Sequence, residues 1–549
     1  MKKYLYILLL TSLSSQAQNL ALKIEGFNNV ETKKIDSIGY ASKHTNAKSI
    51  LNEVATFKNV LSKMGYLEAQ SEVQTKVVDS VFNYKFNLWQ QIKFIHIYVS
   101  KKQQELLNLQ KETVVLPFAE NEAFIRNILS KLESKGFSMA KVNLEKINSK
   151  QKYLTANLKI ETNIQRKLND IVINGYEKFP AGHLKNLKRL YKNKLFTNQV
   201  LEQLQKQVSQ FRFVRQLKYP EILFTTDSTK IFLYVEKAKN NTFDGFLGFT
   251  NNEKRKLVFS GYIDLVLNNI LNSGEKLAIN WRSNGTEQTT FNAAIEVPYV
   301  FKSPIAVKAS LNIIKQDSTF QTTQTAIDFG YYFNYNTRLY LGYQSSESSD
   351  IKNLNTALIS DFTNEFVTSN FEYVNYKDDS FLFPEKSTIN LKIGAGKRAS
   401  KFEDNSQLFA NLFLKHDFYL NPKNCISLKS QHFYLQSPSY IINELYRFGG
   451  INSIRGFNEN SLQASYFSSI LTEYRYIVTS NLYVHTVFDY AVYKDKTNSA
   501  SDKLLGLGFG FGLLTKNGLF NLVYANGSAQ NQQIQLSNSI VQISLKARF

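Results

Sequence analysis

Chemistry in this sequence could reside in three places: six histidines, one cysteine, and a glycine-bearing segment with two arginines. The histidines are His44, His96, His183, His416, His432 and His485, and they are scattered without the spacing of a metal site or of a nucleophile, base and orienting group. His432 and His485 fall in alternating stretches and are read as ordinary polar lining of an interior face. Cys425 is the single cysteine, which excludes an intramolecular disulfide and leaves thiolate-metal or redox chemistry without support. It is read as a small strand residue. We therefore expect no enzyme centre, no metal and no cofactor. The third place differs in kind. Arg447-Phe448-Gly449-Gly450-Ile451-Asn452-Ser453-Ile454-Arg455-Gly456-Phe457 is the most specific run in the chain. The stretches after it carry Glu473 between Thr472 and Tyr474, and Asp489 between Phe488 and Tyr490. Side chains alternate across a strand, so each carboxylate belongs to the polar face of its own.

The elements that must position these groups are strands. Beyond Lys239, alternation of period two runs to the last residue. Strands are expected to begin near Phe243, Lys256, Glu275, Gln288, Ile305, Gln321, Thr337, Asn364, Ser387, Ser406, Asn424, Ala464, Asn481, Lys503, Gly518 and Ser539. That is an even number, as a bacterial barrel needs when both ends stay in the periplasm. Connections leaving even-numbered strands are tight, as at Tyr335-Asn336, Asn421-Pro422-Lys423, Thr479-Ser480 and Lys516-Asn517-Gly518. Those leaving odd-numbered strands are longer and polar, as from Asp495 to Asp502 and from Gly527 to Asn538. On one strand Leu482, Val484, Thr486, Phe488 and Tyr490 should meet lipid, while Tyr483, His485, Val487 and Asp489 face a lumen. On the fourteenth strand Gly506, Gly508, Gly510 and Gly512 share one face, which leaves room for an inserted segment; four alternate glycines weaken a strand unless some close approach compensates. The last strand sets Val541, Ile543, Leu545, Ala547 and Phe549 on one side.

Composition agrees: 41 Phe and 31 Tyr stand beside 2 Trp and 8 Pro, as suits strands with one apolar and one polar face. After the first residues no run of about eighteen apolar residues occurs, so helical spans are excluded and a closed barrel is the remaining way across a bilayer. Lys2 and Lys3, the apolar run Tyr4 to Leu13 and Ser15-Gln16-Ala17 read as a removable signal peptide over 1–17, with no following cysteine to take a lipid. In an exported chain the formal charge of +21 points to anionic lipid headgroups or acidic clients, not to nucleic acid. The densest basic stretch, Lys185, Lys188, Arg189, Lys192 and Lys194, is read as the solvated face of a helix.

Between the signal and the barrel one order of elements occurs three times: a short strand, helical periodicity, then strands. The modules are expected at 18–90, 91–165 and 166–239, with helices at Ser49 to Lys63, Asn121 to Ser134, His183 to Tyr191 and Asn198 to Phe211. Gly65-Tyr66 and Gly136-Phe137 end the first two long helices in the same way, as left-handed caps. No Pro-, Gly- or Ser-rich linker separates the modules, so they form a semi-rigid arm. The repeats resemble POTRA modules, the polypeptide-transport-associated domains that precede certain outer-membrane barrels. Such a module has a sheet edge that could take an extended client strand.

Gly449-Gly450 and Arg455-Gly456-Phe457, with Ile454 before them, resemble the inward-folded loop of the BamA and TamA superfamily, which also contains the two-partner secretion translocators. The resemblance covers the mature chain by architecture and the loop at 437–461 with the following strands by motif. It implies α+β POTRA-like repeats followed by an all-β barrel of about 16 antiparallel strands at 240–549 in the bacterial outer membrane, with the modules in the periplasm. An arginine on a loop tucked into a barrel must be paired, because an unpartnered buried charge costs several kcal/mol. By this resemblance Arg455 pairs with Glu473, Asp489 or both, Gly456 allows close approach, and Phe457 packs beside it. The terminal aromatic Phe549, with Ile543 and Leu545, looks like the C-terminal signal of such barrels. Where the family usually has a glycine after the aspartate, Tyr490-Ala491 stands here.

The function implied is insertion and assembly of β-barrel proteins: modules collect unfolded outer-membrane polypeptides, and a seam between first and last strands templates new ones. Outer-membrane lipid and periplasmic or lipoprotein accessory subunits are the other expected partners. The alternatives are translocation of a secreted partner and a passive porin. Translocators usually show two modules, a plug helix and a Pro-rich linker, whereas three modules and neither other feature are read here. A porin would need no arginine-bearing inserted loop.

Overall fold

The computed structural model describes residues 20–78, 80–150, 152–251, 257–284, 288–377, 382–516, 518–530, 535 and 539–549. The expected signal peptide lies outside them. The chain divides into two compact units, one of residues up to Arg166 with Leu195–Gln199, the other of Lys167–Lys194 with Val200–Phe549.

The first unit holds two modules of one topology. The first runs β1 (Leu20–Gly26), α1 (Asn29–Ile38), β2 (Lys43–His44), α2 (Ala47–Lys63), β3 (Gln70–Val78) and β4 (Val81–Asn87), with sheet order β2-β1-β4-β3. The second runs β5 (Phe94–Tyr98), α3 (Lys101–Leu107), β6 (Thr113–Pro117), α4 (Asn121–Ser134), β7 (Lys141–Lys150) and β8 (Tyr153–Glu161), ordered β6-β5-β8-β7. The first strand of each lies parallel to the last, β1 to β4 and β5 to β8. Helix α2 begins where the Asn46 side chain accepts from the Ser49 amide at 2.8 Å, and it buries Ile50, Val54, Phe57 and Leu61 along one stripe. Gly65 follows with φ +95°, and a Cβ there would strike the Ile92 carbonyl. Each module carries a helix that periodicity did not expose. Helix α1 buries only Ile35, and α3 has 7 residues, so neither displays an apolar stripe.

The second unit opens with a third module, complete but for the first two residues of its second helix: β9 (Asp170–Asn174), α5 (Ala181–Tyr191), α6 (Asn198–Ser209), β10 (Val214–Gln216), β11 (Glu221–Phe224) and β12 (Thr229–Lys237). β12 pairs with β9 in parallel and with β10 and β11 antiparallel. The barrel follows as β13 (Thr242–Asn251), β14 (Leu257–Asn268), β15 (Lys276–Asn284), β16 (Gln288–Val297), β17 (Ile305–Gln316), β18 (Phe320–Tyr332), β19 (Thr337–Asp350), β20 (Phe362–Tyr376), β21 (Glu385–Ser400), β22 (Asp404–Tyr419) and β23 (Asn424–Gln436). A long connection containing the paired β24 (Tyr446–Phe448) and β25 (Leu462–Ala464) leads to β26 (Tyr466–Thr479), β27 (Leu482–Asp495), β28 (Ala500–Leu514), β29 (Gly518–Ser528) and β30 (Ile540–Arg548). With β24 and β25 set aside, sixteen antiparallel strands close into one barrel. No helix among the described residues is long and apolar enough to cross a membrane. On the barrel strands Val484, Phe488, Phe509, Ile543 and Leu545 stand exposed on the outer face while Asp489 and His485 are buried on the inner one, an apolar outside around a polar inside.

The third module packs on the turns at one end of this barrel through an aromatic cage. His183 of α5 is wholly buried, with its ring centroid 5.0 Å from those of Phe211 and Phe213, 4.7 Å from Tyr299 and 5.7 Å from Tyr335. Gly274 in the β14–β15 turn sits so close to the imidazole that a Cβ would overlap it. Neither ring nitrogen has a hydrogen-bond partner among the described residues, and burial with no charged neighbour pushes the pKa of His183 down to about 3. Backbone carbonyls of the turns complete the dock: Arg189 donates to Tyr332 O at 3.0 Å, Asn186 to Ser303 O at 3.2 Å, and Gln210 to Tyr376 O at 3.1 Å. The basic face of α5 is thus not simply solvated, because Arg189 is spent on the barrel rim.

Candidate functional site: the inward loop and the barrel seam

The connection from β23 to β26 folds into the barrel, and its shape follows from its glycines. Gly449, Gly450 and Gly456 take φ of +111°, +94° and +86°, which an L side chain adopts only with strain. Gly450 donates to the carbonyl of Ile454 at 3.1 Å, closing a tight turn that presents Arg455. Ile454 is fully buried against Phe448, Ala464, Phe467, Ala491 and Leu504. Ala491 of β27 is one wall of that cluster.

Arg455 reaches both carboxylates on β26 and β27. Its Nε donates to Asp489 Oδ2 at 2.7 Å, its Nη2 to Asp489 Oδ1 at 2.5 Å, and its backbone amide to Asp489 Oδ2 at 3.0 Å. Its Nη1 pairs with Glu473 Oε1. Arg455 is 4% exposed, Asp489 0% and Glu473 9%, so these are desolvated charges whose partners cannot be replaced by water. Two further members were not singled out from the sequence. Arg475 donates to the other oxygen of Glu473 at 2.7 Å and pairs with Asp417 of β22 at 3.2 Å. Arg475 lies two residues beyond Glu473, hence on the same face of β26, which is the signal that could have found it.

The four glycines of β28 divide. Gly506 lies directly beneath the Arg455 carbonyl, whereas Gly508 faces the backbone of β29, and Gly510 and Gly512 make room for the rings of His485 and Tyr483. The other close approach to the loop is Gly527 of β29, whose backbone meets that of Gly456 with Phe457 beside it. His485 lines the lumen, but His432 does not. Phe433 stacks on Tyr446 of the loop at 4.7 Å and Gln431 donates to Asn452 O, so the alternate residue His432 faces outward, bonded to Ser430 at 2.7 Å and Ser468 at 2.9 Å.

A second fastening holds the loop's first half to β21 and β22, on the far side of β23 from β26 and β27. Glu444 accepts from Arg398 of β21 at 2.5 Å and from Gln407 of β22 at 2.8 Å, with Arg398 only 1% exposed. Beside the loop lies a cavity of about 590 Å³ lined by amides, among them Asn280, Asn292, Asn312, Gln324 and Asn364.

The seam is the remaining distinctive feature. Between β13 and β30 the described register pairs Thr242 with Arg548 and Phe243 with Ala547 and then stops, while the shortest of the other barrel ladders has eight pairs. Beyond those pairs, Asn241 and Phe549 exchange backbone bonds of 3.2 and 3.0 Å. Ile543, Leu545 and Phe549 are about half exposed on the outer face of the strand that ends there.

No protein-family model matches the sequence, and no curated protein matches it. Among solved structures, CdiB from Acinetobacter baumannii superposes with TM-score 0.52 at 14% identity, covering 83% of this chain and 90% of its own. CdiB from Escherichia coli gives TM-score 0.51 at 12% identity over 90% of this chain and 98% of its own. BamA from Haemophilus ducreyi lacking POTRA domains 1–3 gives TM-score 0.47 at 15% identity over 83% and 99%. The fold of modules followed by a sixteen-stranded barrel is shared with the two CdiB structures.

Proposed function

We propose that this chain inserts and assembles β-barrel proteins in the bacterial outer membrane, the modules at 18–90, 91–165 and 166–239 meeting unfolded clients in the periplasm and the seam templating their strands. The observation that supports it most directly is the two-pair seam. The backbone edges of β13 and β30 beyond it carry donors and acceptors with no ladder partner among the described residues. Such an edge is held in register by the rest of the barrel and needs only an extended segment to complete it. The Arg455 latch fits this role by keeping the neighbouring wall, β26 to β28, rigid while the seam gives way. Outer-membrane lipid and accessory subunits in the periplasm or on lipoprotein anchors complete the expected partners.

Depletion of the protein, with quantitative proteomics of outer membrane and culture medium, tests the reading. Loss of several barrel proteins from the membrane is the expected outcome. Loss of one secreted polypeptide with the membrane set unchanged would replace assembly by translocation.

A further inference from the structure

Within that reading of the seam, the loop and the seam are physically joined. Tyr262 of β14 donates to Asp244 Oδ1 of β13 at 2.8 Å, and the same oxygen accepts the backbone N–H of Leu545 on β30 at 3.3 Å. Leu545 is the residue at which the seam ladder has already stopped, so a carboxylate takes the place of the next backbone acceptor. Tyr262 is the register partner of Arg282 on β15, whose guanidinium lies 5.8 Å from the tyrosine ring centroid. Arg282 pairs in turn with Glu459 of the loop at 3.4 Å. Three residues earlier in the loop, Gly456 is seated on Asn526 and Gly527 of β29. Loop residues 456–459 therefore reach from β29 on one side of the seam to β15 on the other, with β30, β13 and β14 between.

We infer that Glu459, Arg282, Tyr262 and Asp244 form a relay that clasps the seam from inside, so that the seated loop favours the closed barrel and displacing the loop frees β30. Strength supports the assignment. The Arg455 cluster is desolvated and forked, while Arg282 and Glu459 are 27% and 30% exposed and meet through one contact at 3.4 Å, so theirs is the weaker pair. The loop is thus held firmly by its buried pairs at Arg455 and Glu444 and more weakly at Glu459, and the weaker hold leads to the seam. Asp244 makes the clasp specific to β30, because its acceptor oxygen is shared between the relay and that strand.

The test uses the full chain in outer membranes, in a Cys425→Ser background carrying Phe243→Cys and Ala547→Cys at a paired seam position. Disulfide formation under a mild oxidant reports the closed seam. Glu459→Gln and Tyr262→Phe should each slow it by about three- to tenfold, the scale of side-chain coupling between linked sites, and together no more than the stronger alone. Retained heat-modifiable migration on gels shows that each variant is folded. Rates equal to the parent in both folded variants, or effects that multiply as if independent, would overturn the relay. Client assembly by the fully cross-linked protein separates the two ideas. Normal assembly with a locked seam removes the seam reading itself, whereas blocked assembly with unaltered cross-linking rates removes the relay alone.

Discussion

Two fastenings of the second unit, one in the lumen and one at the rim, work by opposite means. In the lumen, Arg455 binds Asp489 and Glu473, and Arg475 extends the chain of charges to Asp417, all buried. At the rim, His183 stands neutral among Phe211, Phe213, Tyr299 and Tyr335 with Gly274 against its edge. One fastening is a set of ions that desolvation makes expensive to separate. The other is packing that desolvation makes expensive to charge. The first should fail when a charge is taken away, the second when one is added, so the two can be broken independently.

The largest effect should come from Arg455→Ala. It leaves Asp489 buried without its fork and Glu473 with one arginine instead of two, a loss on the order of 3–5 kcal/mol for a broken buried pair. Heat unfolding on semi-native gels should show a clearly lowered transition, with client assembly impaired. Arg455→Lys keeps the charge but cannot give two parallel bonds to Asp489, so it should fall between. Equal behaviour of all three proteins would mean that the lumen cluster carries neither stability nor function.

Gly456→Ala should come next, at about 1–3 kcal/mol. The residue has φ +86°, and its added Cβ would meet the backbone of Asn526 and Gly527. The loop would have to lift from β29 while Arg455 stays paired, so the variant should loosen the loop more than the wall. Protease accessibility of the 446–464 segment against heat resistance of the barrel separates the two. A fall in heat resistance as large as that of Arg455→Ala would show that loop and wall are one unit.

How much of this was legible in the sequence differs between the two fastenings for a physical reason. The strands announce themselves by a period of two, and sixteen expected starts lie within three residues of the observed ones. Arg455, Glu473 and Asp489 could be named together because a motif fixed the loop and alternation fixed the faces. Arg475 and Asp417 obey the same alternation but lie outside any motif, and Glu444 to Arg398 joins positions 46 apart with no local sign. His183 was invisible as a fastening. Its cage is assembled from α5, the segment after α6 and two barrel turns, and nothing near His183 in sequence separates a caged imidazole from a solvated one. His432 was misplaced because its strand carries polar residues on both faces, so alternation alone could not say which looked inward.

The smallest effect expected is the most diagnostic for the rim. An imidazole freed by undocking the third module has an ordinary pKa near 6.5, whereas in the cage it is held at about 3. Between those values the undocked form binds a proton that the docked form refuses, so docking is at full strength above pH ~6.5 and weakens as pH falls, by ~1.4 kcal/mol per unit and ~2 kcal/mol by pH 5. No carboxylate is among the groups that face the imidazole, and Arg189, nearly two turns further along α5, is engaged with Tyr332 O, so no neighbour offsets the added charge. Hydrogen exchange of the α5 amides, corrected for the intrinsic effect of pH, should lose protection from pH 7 to pH 5 while the β26 to β28 amides keep theirs. His183→Gln, uncharged at every pH, should be loosened somewhat at pH 7 but show no further loss at pH 5. An undiminished pH response in that variant would move the sensitivity away from the aromatic cage and erase the contrast between a fastening made of charges and one made by excluding them.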